Sequence, residues 1–277
     1  MNDILTLESP AKLNLFLHIT GRRPDGYHEL QTIFQIIDYC DRLHFKSNDG
    51  GILTLHCDIP ELSGDDNLIL RAARALRDKS GCTLGADITL EKHIPMGAGL
   101  GGGSSNAATT LLALNQLWET GLDNEELCAI GVRLGADVPL FVKGQSAWAE
   151  GIGEILTPVV LAQKSYLVVT PDCHVSTKDI FSNQQLTRNT TAIKMAAFLA
   201  GQTRNDCENI VRRLYPPVDE ALKWLNQHVD ARMTGTGASV FAGFDSEEEA
   251  RALLLQLPKG WRAFVARGLQ QSAVQKQ

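Results

Sequence analysis

Leu13, Leu15 and Leu17 fall on one face of residues 11–20, the period-two pattern of a strand. The turn sequence GRRPDG then leads into a second apolar run, 30–37, and the two read as a hairpin. Residues 43–46 and 52–57 predict two more strands around Asn48-Asp49-Gly50-Gly51. The period then changes. Leu68, Ile69, Ala72, Ala73 and Leu76 recur at helical spacing, with Asp65 or Asp66 as the cap and Gly81 as the stop. Residues 86–90 predict a short strand. Ser104 or Ser105 is a cap for a second helix carrying Ala107, Ala108, Leu111, Leu112 and Trp118. A third helix opens near Asp123, with Glu126 completing a capping box, and stops at Gly135.

A boundary is predicted at 156–158, dividing the chain into residues 1–157 and 158–277. Beyond it, 166–170 reads as a buried strand and 187–205 is polar and weakly patterned. Pro216 and Pro217 open a helix with Val218, Ala221, Leu222 and Leu225 on one side. Residues 231–244 read as strand, glycine-rich turn and strand. Ser246 and Glu249 form a second capping box, before Ala250, Leu253, Leu254 and Leu257. The tail, 270–277, is polar and expected to fray. Strands and helices mix without a regular βαβ rhythm and without internal repeats, so an α+β architecture in two layers is expected.

Composition narrows the function. The 277 residues are 44% hydrophobic and 21% charged, as in a soluble globular protein. Twenty-six basic residues against 32 acidic ones give a net charge of −6, which argues against nucleic-acid binding and against an anionic membrane surface. The longest apolar stretches fall far short of the ~20 residues of a membrane span. The start, MNDILTLESPAK, has neither a secretory nor a transit pattern, so a cytoplasmic location is expected. The six cysteines form no C-x-x-C pair and read as reduced thiols. No zinc-ligand spacing and no G-x-S-x-G elbow is present.

The most informative segment is PMGAGLGGGSS, residues 95–105, in which five of eleven positions are glycine and a predicted helix follows at once. Glycines let consecutive backbone N–H groups converge on one point. A helix N-terminus adds unpaired donors and a positive dipole end. Together they make a cradle for nucleotide phosphates. A flexible linker is the plain alternative, but linkers seldom run straight into an amphipathic helix. Gly97, Gly99 and Gly102 also satisfy G-x-G-x-x-G. However, 91–95 separate the strand from the loop, and Glu119, at the ribose-contact spacing, sits at a helix end. No Lys-Ser or Lys-Thr follows the glycines, and the protein-kinase His-Arg-Asp and Asp-Phe-Gly motifs are missing.

Other polar positions admit two readings each. Lys12 and Asn14 share a strand face, either solvated or turned to a site. Asp137, between Gly135-Ala136 and Val138-Pro139, is either a surface-turn aspartate or an aimed general base. Tyr27 and His28 follow a tight turn, either as a packed strand start or as a stack and hydrogen bond for a base. The cluster 234–239, TGTGAS, is either a tight hairpin or a further array of N–H and hydroxyl donors.

In order and spacing, PAKLNLFLHITGRRPDGYHELQTIFQIIDYCD, PMGAGLGGGSSNAATTL, LGADVPLFVKGQSAWAEGIGE and TGTGASVFAGF resemble the GHMP family of small-molecule kinases. The first segment is the specific one. The resemblance covers most of 8–160 and thins through 180–215. It implies a two-domain fold, with an N-terminal half like domain 2 of ribosomal protein S5, a ferredoxin-like C-terminal half, and a cleft between them. It also implies Mg²⁺- and ATP-dependent phosphorylation of an alcohol on a cytidine diphosphate-linked methylerythritol, in isoprenoid precursor synthesis, by a monomer or weak homodimer.

By the same resemblance Pro95, Met96, Gly97, Ala98, Gly99, Leu100, Gly101, Gly102, Gly103, Ser104 and Ser105 wrap the ATP phosphates. Asn67 and Lys92 lie near the adenine. Asp137 accepts the hydroxyl proton, and Lys12 sits beside it to steady the transferring group. Asn14 orients the substrate. His28 binds the cytosine edge, with Tyr27 and Phe181 stacking on its faces and Thr177 nearby. Ala98 stands where the family has glycine, and the segment after Pro171 departs further from the pattern. Competing readings are a related kinase for mevalonate, homoserine or a sugar, an RNA-binding module, and a nucleotide sensor without turnover.

Overall fold

The structure, a computed structural model, describes residues 4–272. Most of the predicted tail, from 273 on, lies outside the described residues. Two long antiparallel strands dominate the N-terminal half: β1 (Leu5–Arg22) and β2 (His28–Asn48). The two runs read as separate strands, 30–37 and 43–46, are parts of β2. The chain between them stays extended, and the Asp41 carboxylate is buried rather than exposed at a turn.

β3 (Leu53–Cys57) does not fold back onto β2 across the 48–51 turn. It pairs in parallel with β4 (Gly85–Glu91), which itself lies antiparallel beside β2. A parallel pair needs a crossover, and α1 (Leu68–Ser80) supplies it. Its buried Ile69, Ala72, Ala73 and Leu76 pack onto the first core, together with Phe45, Ile88, Ala107, Leu111 and Leu114. That core is roofed by α1, α2 (Gly102–Leu117), α3 (Asn124–Leu134) and the short α4 (Val138–Lys143), which sequence patterning missed.

β5 (Ala147–Glu150) and β6 (Ile155–Pro158) form a hairpin on β2. The predicted boundary at 156–158 therefore falls on a paired strand and not in a linker. The C-terminal half carries β7 (Ser165–Thr170), α5 (Thr177–Ser182), α6 (Met195–Leu199), α7 (Glu208–Leu214), α8 (Pro216–Asn226), β8 (Ala231–Met233), β9 (Val240–Phe244), α9 (Glu247–Leu254) and β10 (Arg262–Leu269). The sheet order β3-β4-β2-β10-β7-β9-β8 joins both halves, with β1 and β5 pairing on β2 off this path. The α+β expectation holds.

Two further clusters tie the halves together. Leu17 and Ile19 of β1 belong to the C-terminal core, beside Leu167, Val169, Leu222 and Val240. A third cluster mixes Ala11, Leu13 and Ile37 with Ala98, Leu100, Val168 and Phe241. Its members are almost fully buried, so the seam packs as a core.

Two caps differ from expectation. Asn67, not Asp65 or Asp66, caps α1: its Oδ1 accepts from the Ile69 N–H at 2.9 Å. α2 is capped by neither Ser104 nor Ser105 but starts from Gly101, at φ 73° with no side-chain cap. The Ser105 hydroxyl is buried and accepts from Ser9 at 2.8 Å. The first turn of α2 thus has no side chain competing for its N–H groups. The Asp123/Glu126 capping box is present as expected, whereas at Ser246 only half of the expected box forms: its hydroxyl accepts from Glu249 N.

Candidate active site

The glycine loop is held from beneath by alternate residues. Ala98 and Leu100 are buried in the seam cluster, while Gly97, Gly99 and Gly101 take φ values of 62°, 75° and 73°. Those left-handed turns bring the loop down onto its neighbours. A Cβ on Gly99 would lie 2.4 Å from the Thr234 carbonyl oxygen, and one on Gly97 would strike the His174 ring. The second glycine cluster, 234–239, is both a β8–β9 turn and a brace for this loop. Ser239 N donates to Ala98 O at 3.2 Å, and Thr234 Oγ1 donates to Gly99 O at 3.3 Å.

The strand feeding the loop is anchored by Asp41, a group sequence reasoning did not single out. Its Oδ1 accepts from His93 N (2.7 Å) and Ile94 N (2.8 Å), and its Oδ2 from Lys92 Nζ (2.6 Å) and Asn106 Nδ2 (2.9 Å). Lys92, expected near the adenine, is therefore engaged in a buried ion pair beneath the loop. Burial pushes its ammonium below the usual lysine range, and Asp41 partly restores it. Asn67 is likewise committed, to the α1 cap and to Leu62 O at 2.6 Å. Removing one partner of a buried pair leaves the other uncompensated. Asp41→Ala is expected to lose about 3–5 kcal/mol of stability in urea unfolding, and a loss under about 1 kcal/mol, the scale of an exposed pair, would contradict this role.

Lys12 and Asn14 lie on no solvated edge: both are buried, facing the cleft between the halves. A buried ammonium must be paired. Lys12 Nζ donates to Asn14 Oδ1 at 2.6 Å, sits 3.4 Å from Asp137 Oδ2 and lies 5.3 Å from the centre of the Phe34 ring. Asn14 is fixed in turn by donating from Nδ2 to Thr32 Oγ1 at 3.0 Å. Asp137 stands at the N-cap of α4, yet its side chain makes no capping bond, and it remains 28% exposed. A carboxylate free of structural duty, with an ammonium beside it, opens onto the same cleft as Gly99, Gly101 and Ser104.

The cleft has a volume of about 670 Å³. It is also lined by Tyr27, His28, Thr177 and Phe181. Tyr27 is 60% exposed on the turn before β2. The His28 and Phe181 rings stack on each other at 5.1 Å and 28°. Burial, then the charges of Arg188 and Arg22, push the His28 imidazole below its ordinary pKa, favouring the neutral ring. Thr177 Oγ1 meets Thr236 Oγ1 at 2.9 Å, tying α5 to the second glycine cluster. Arg22, Lys178 and Arg188 also line the cleft, making it cationic within an acidic protein. Arg188 lies in the weakly patterned stretch 187–205, where no motif points to it.

The model "GHMP kinases N terminal domain" matches residues 67–145, and "GHMP kinases C terminal" matches 185–263. A 4-diphosphocytidyl-2-C-methyl-D-erythritol kinase of Hahella chejuensis is 52% identical, covering 99% of this chain and 96% of its own. One of Pseudomonas aeruginosa is 54% identical, covering 97% and 95%. A crystal structure of 4-(cytidine 5'-diphospho)-2C-methyl-D-erythritol kinase superposes with a TM-score of 0.81 at 33% identity, over 96% of this chain and all of that one. The mevalonate kinase of Methanococcus jannaschii, at 19% identity and a TM-score of 0.70 over 96% of this chain and 99% of its own, shares the fold. Among the described residues no helix is long and apolar enough to cross a membrane. The chain belongs to the GHMP kinases, small-molecule phosphotransferases built on this two-part scaffold.

Proposed function

We propose that this kinase transfers the γ-phosphoryl group of ATP to the 2-hydroxyl of 4-diphosphocytidyl-2-C-methyl-D-erythritol, giving the 2-phosphate and ADP, in the non-mevalonate route to isoprenoid precursors. The observation that carries this reading is the meeting, in one cleft, of the glycine loop, the Lys12–Asp137 pair and the His28/Phe181 ring pair.

Phosphoryl transfer demands alignment and charge neutralisation more than covalent work. The loop amides and the α2 N-terminus would hold the phosphates. Asp137 would accept the hydroxyl proton. Lys12, held by Asn14, would keep that carboxylate oriented and meet the charge of the moving phosphoryl group. Magnesium would enter with ATP and neutralise its phosphate charge. Of the oxygen groups lining the cleft, Asp137 and the Ser104 hydroxyl would hold it, together with phosphates and water. Tyr27 and Phe181 would flank the base, and Arg22 and Lys178 suit a diphosphate. All these groups come from one chain, so a monomer or weak homodimer in the cytoplasm suffices.

Incubation with labelled ATP and the cytidine diphosphate-linked alcohol is expected to give a labelled product with the cytidine intact. Turnover of mevalonate or homoserine instead would assign the cleft to another substrate of the same family.

A further inference from the structure

We propose that Arg188 is the positioning residue that sets which pyrimidine the cleft accepts, by fixing His28 as the Nδ1–H tautomer. This rests on the cytidine-linked substrate proposed above.

The Arg188 Nε–H points at His28 Nε2 at 2.9 Å. A guanidinium nitrogen only donates. His28 Nε2 must therefore accept, and the proton of the neutral ring sits on Nδ1. The arginine is not free to swing away. Its Nη1 donates to Leu186 O at 3.1 Å, and its Nη2 donates to Phe181 O at 2.9 Å and Asn183 O at 2.7 Å. The same side chain thus clamps the segment that carries the Phe181 ring, which stacks on the imidazole it orients. Protonation of His28 would set N–H against N–H, and its burial beside two arginines disfavours that form. Among the described residues no hydrogen bond to Nδ1 is formed, which leaves its N–H for a ligand.

An N–H donor at this place matches cytosine N3, which accepts. Uracil carries a proton on N3, so two donors would meet. A site built around one hydrogen bond rejects the analogue that cannot make it far more strongly than a merely apolar pocket does. Free imidazole leans towards the opposite, Nε2–H form, whose Nδ1 would accept from uracil. Arg188 therefore turns an ambiguous ring into a selective one.

Two measurements test this. In protein labelled with ¹⁵N-histidine, the signal lost in His28→Asn is expected to show a bare Nε2 and a protonated Nδ1 at neutral pH. A protonated Nε2 there would overturn the proposal. Second, cytidine and uridine diphosphate binding by calorimetry, and kcat/KM on the matching alcohols, are compared in the wild type and Arg188→Met. The preference for cytidine is expected to be at least about 100-fold and to fall at least about tenfold in the variant, the value of one or two hydrogen bonds. The change should come through KM of the alcohol, with kcat and KM for ATP nearly unchanged. Equal losses for both bases would mark Arg188 as merely structural and refute it. If Arg188→Met does not fold, the wild-type spectrum decides. A wild type that turned over neither alcohol would remove the substrate assignment, while the spectrum would still decide the hold of Arg188 on His28.

Discussion

Asp137→Asn is expected to lower kcat by about 10²–10⁴-fold, the range a positioned general base supplies, while KM for ATP stays within about threefold. Beyond its pairing with Lys12, this carboxylate is given no structural task. It caps no helix N–H, although it occupies the N-cap of α4. Its partner Lys12 keeps the Asn14 bond at 2.6 Å, and an amide oxygen at position 137 still faces the ammonium. The variant should therefore melt within a few degrees of the wild type, a change of about 1 kcal/mol or less. An effect on kcat that leaves ATP binding intact belongs to the transition state and not to ground-state affinity. Steady-state rates with calorimetry on an ATP analogue would check both halves. Turnover within tenfold of the wild type would remove Asp137 from the proton transfer.

Gly99→Val is expected to weaken ATP-analogue binding by about 100-fold or more, since a shift of about 1 Å in a positioning element can cost that much. Gly99 holds φ at 75°, where a β-branched residue is strained. Its Cβ would lie 2.4 Å from Thr234 O and 2.9 Å from Gly237 O. Both are backbone atoms, so no flexible side chain can give way. The two glycine loops would be driven apart, and the bonds Ser239 N to Ala98 O and Thr234 Oγ1 to Gly99 O would go with them. Gly50→Ala is the matched control. It sits outside the cleft in the exposed turn after β2, and a Cβ there meets only Asn48 Oδ1, at 3.6 Å. Near-normal analogue affinity in Gly99→Val would show that the brace between the loops does not shape the phosphate cradle.

Local patterning was enough for α1, α3, α8 and α9, because each carries its period and its stop signal within its own segment. Caps were harder. Asp65, Asp66 and Asn67 are all competent, and Asn67 wins because its Nδ2 also reaches the Leu62 carbonyl of the incoming chain. The glycine loop was legible as a cradle, since consecutive glycines before a helix have few other uses. Lys12 and Asn14 were legible as neighbours on one strand face but not as buried, because that depends on what covers β1 from the far half of the chain. The parallel β3–β4 pair was hidden behind a turn that resembles a hairpin. The hold of Asp41 on Lys92 had no sequence signal, for the two lie fifty-one residues apart. Arg188 had no signal at all, for its partners are His28 and three carbonyls brought together only by folding.

β10 completes a sheet whose longest member, β2, precedes it by most of the described residues. Gly268 and Leu269 pair with Ile37 and Ile36, filling the gap on β2 between β5 and β4, and Gln35 Nε2 donates to Leu269 O across 234 residues. On the ribosome, the middle of β2 therefore waits with an open backbone edge until β10 has emerged. Such edges invite pairing with other nascent chains, and closures of this span slow folding. A product that lacked β10 would keep that edge unpaired, so for this enzyme a strand made late decides whether the sheet begun by β2 can close.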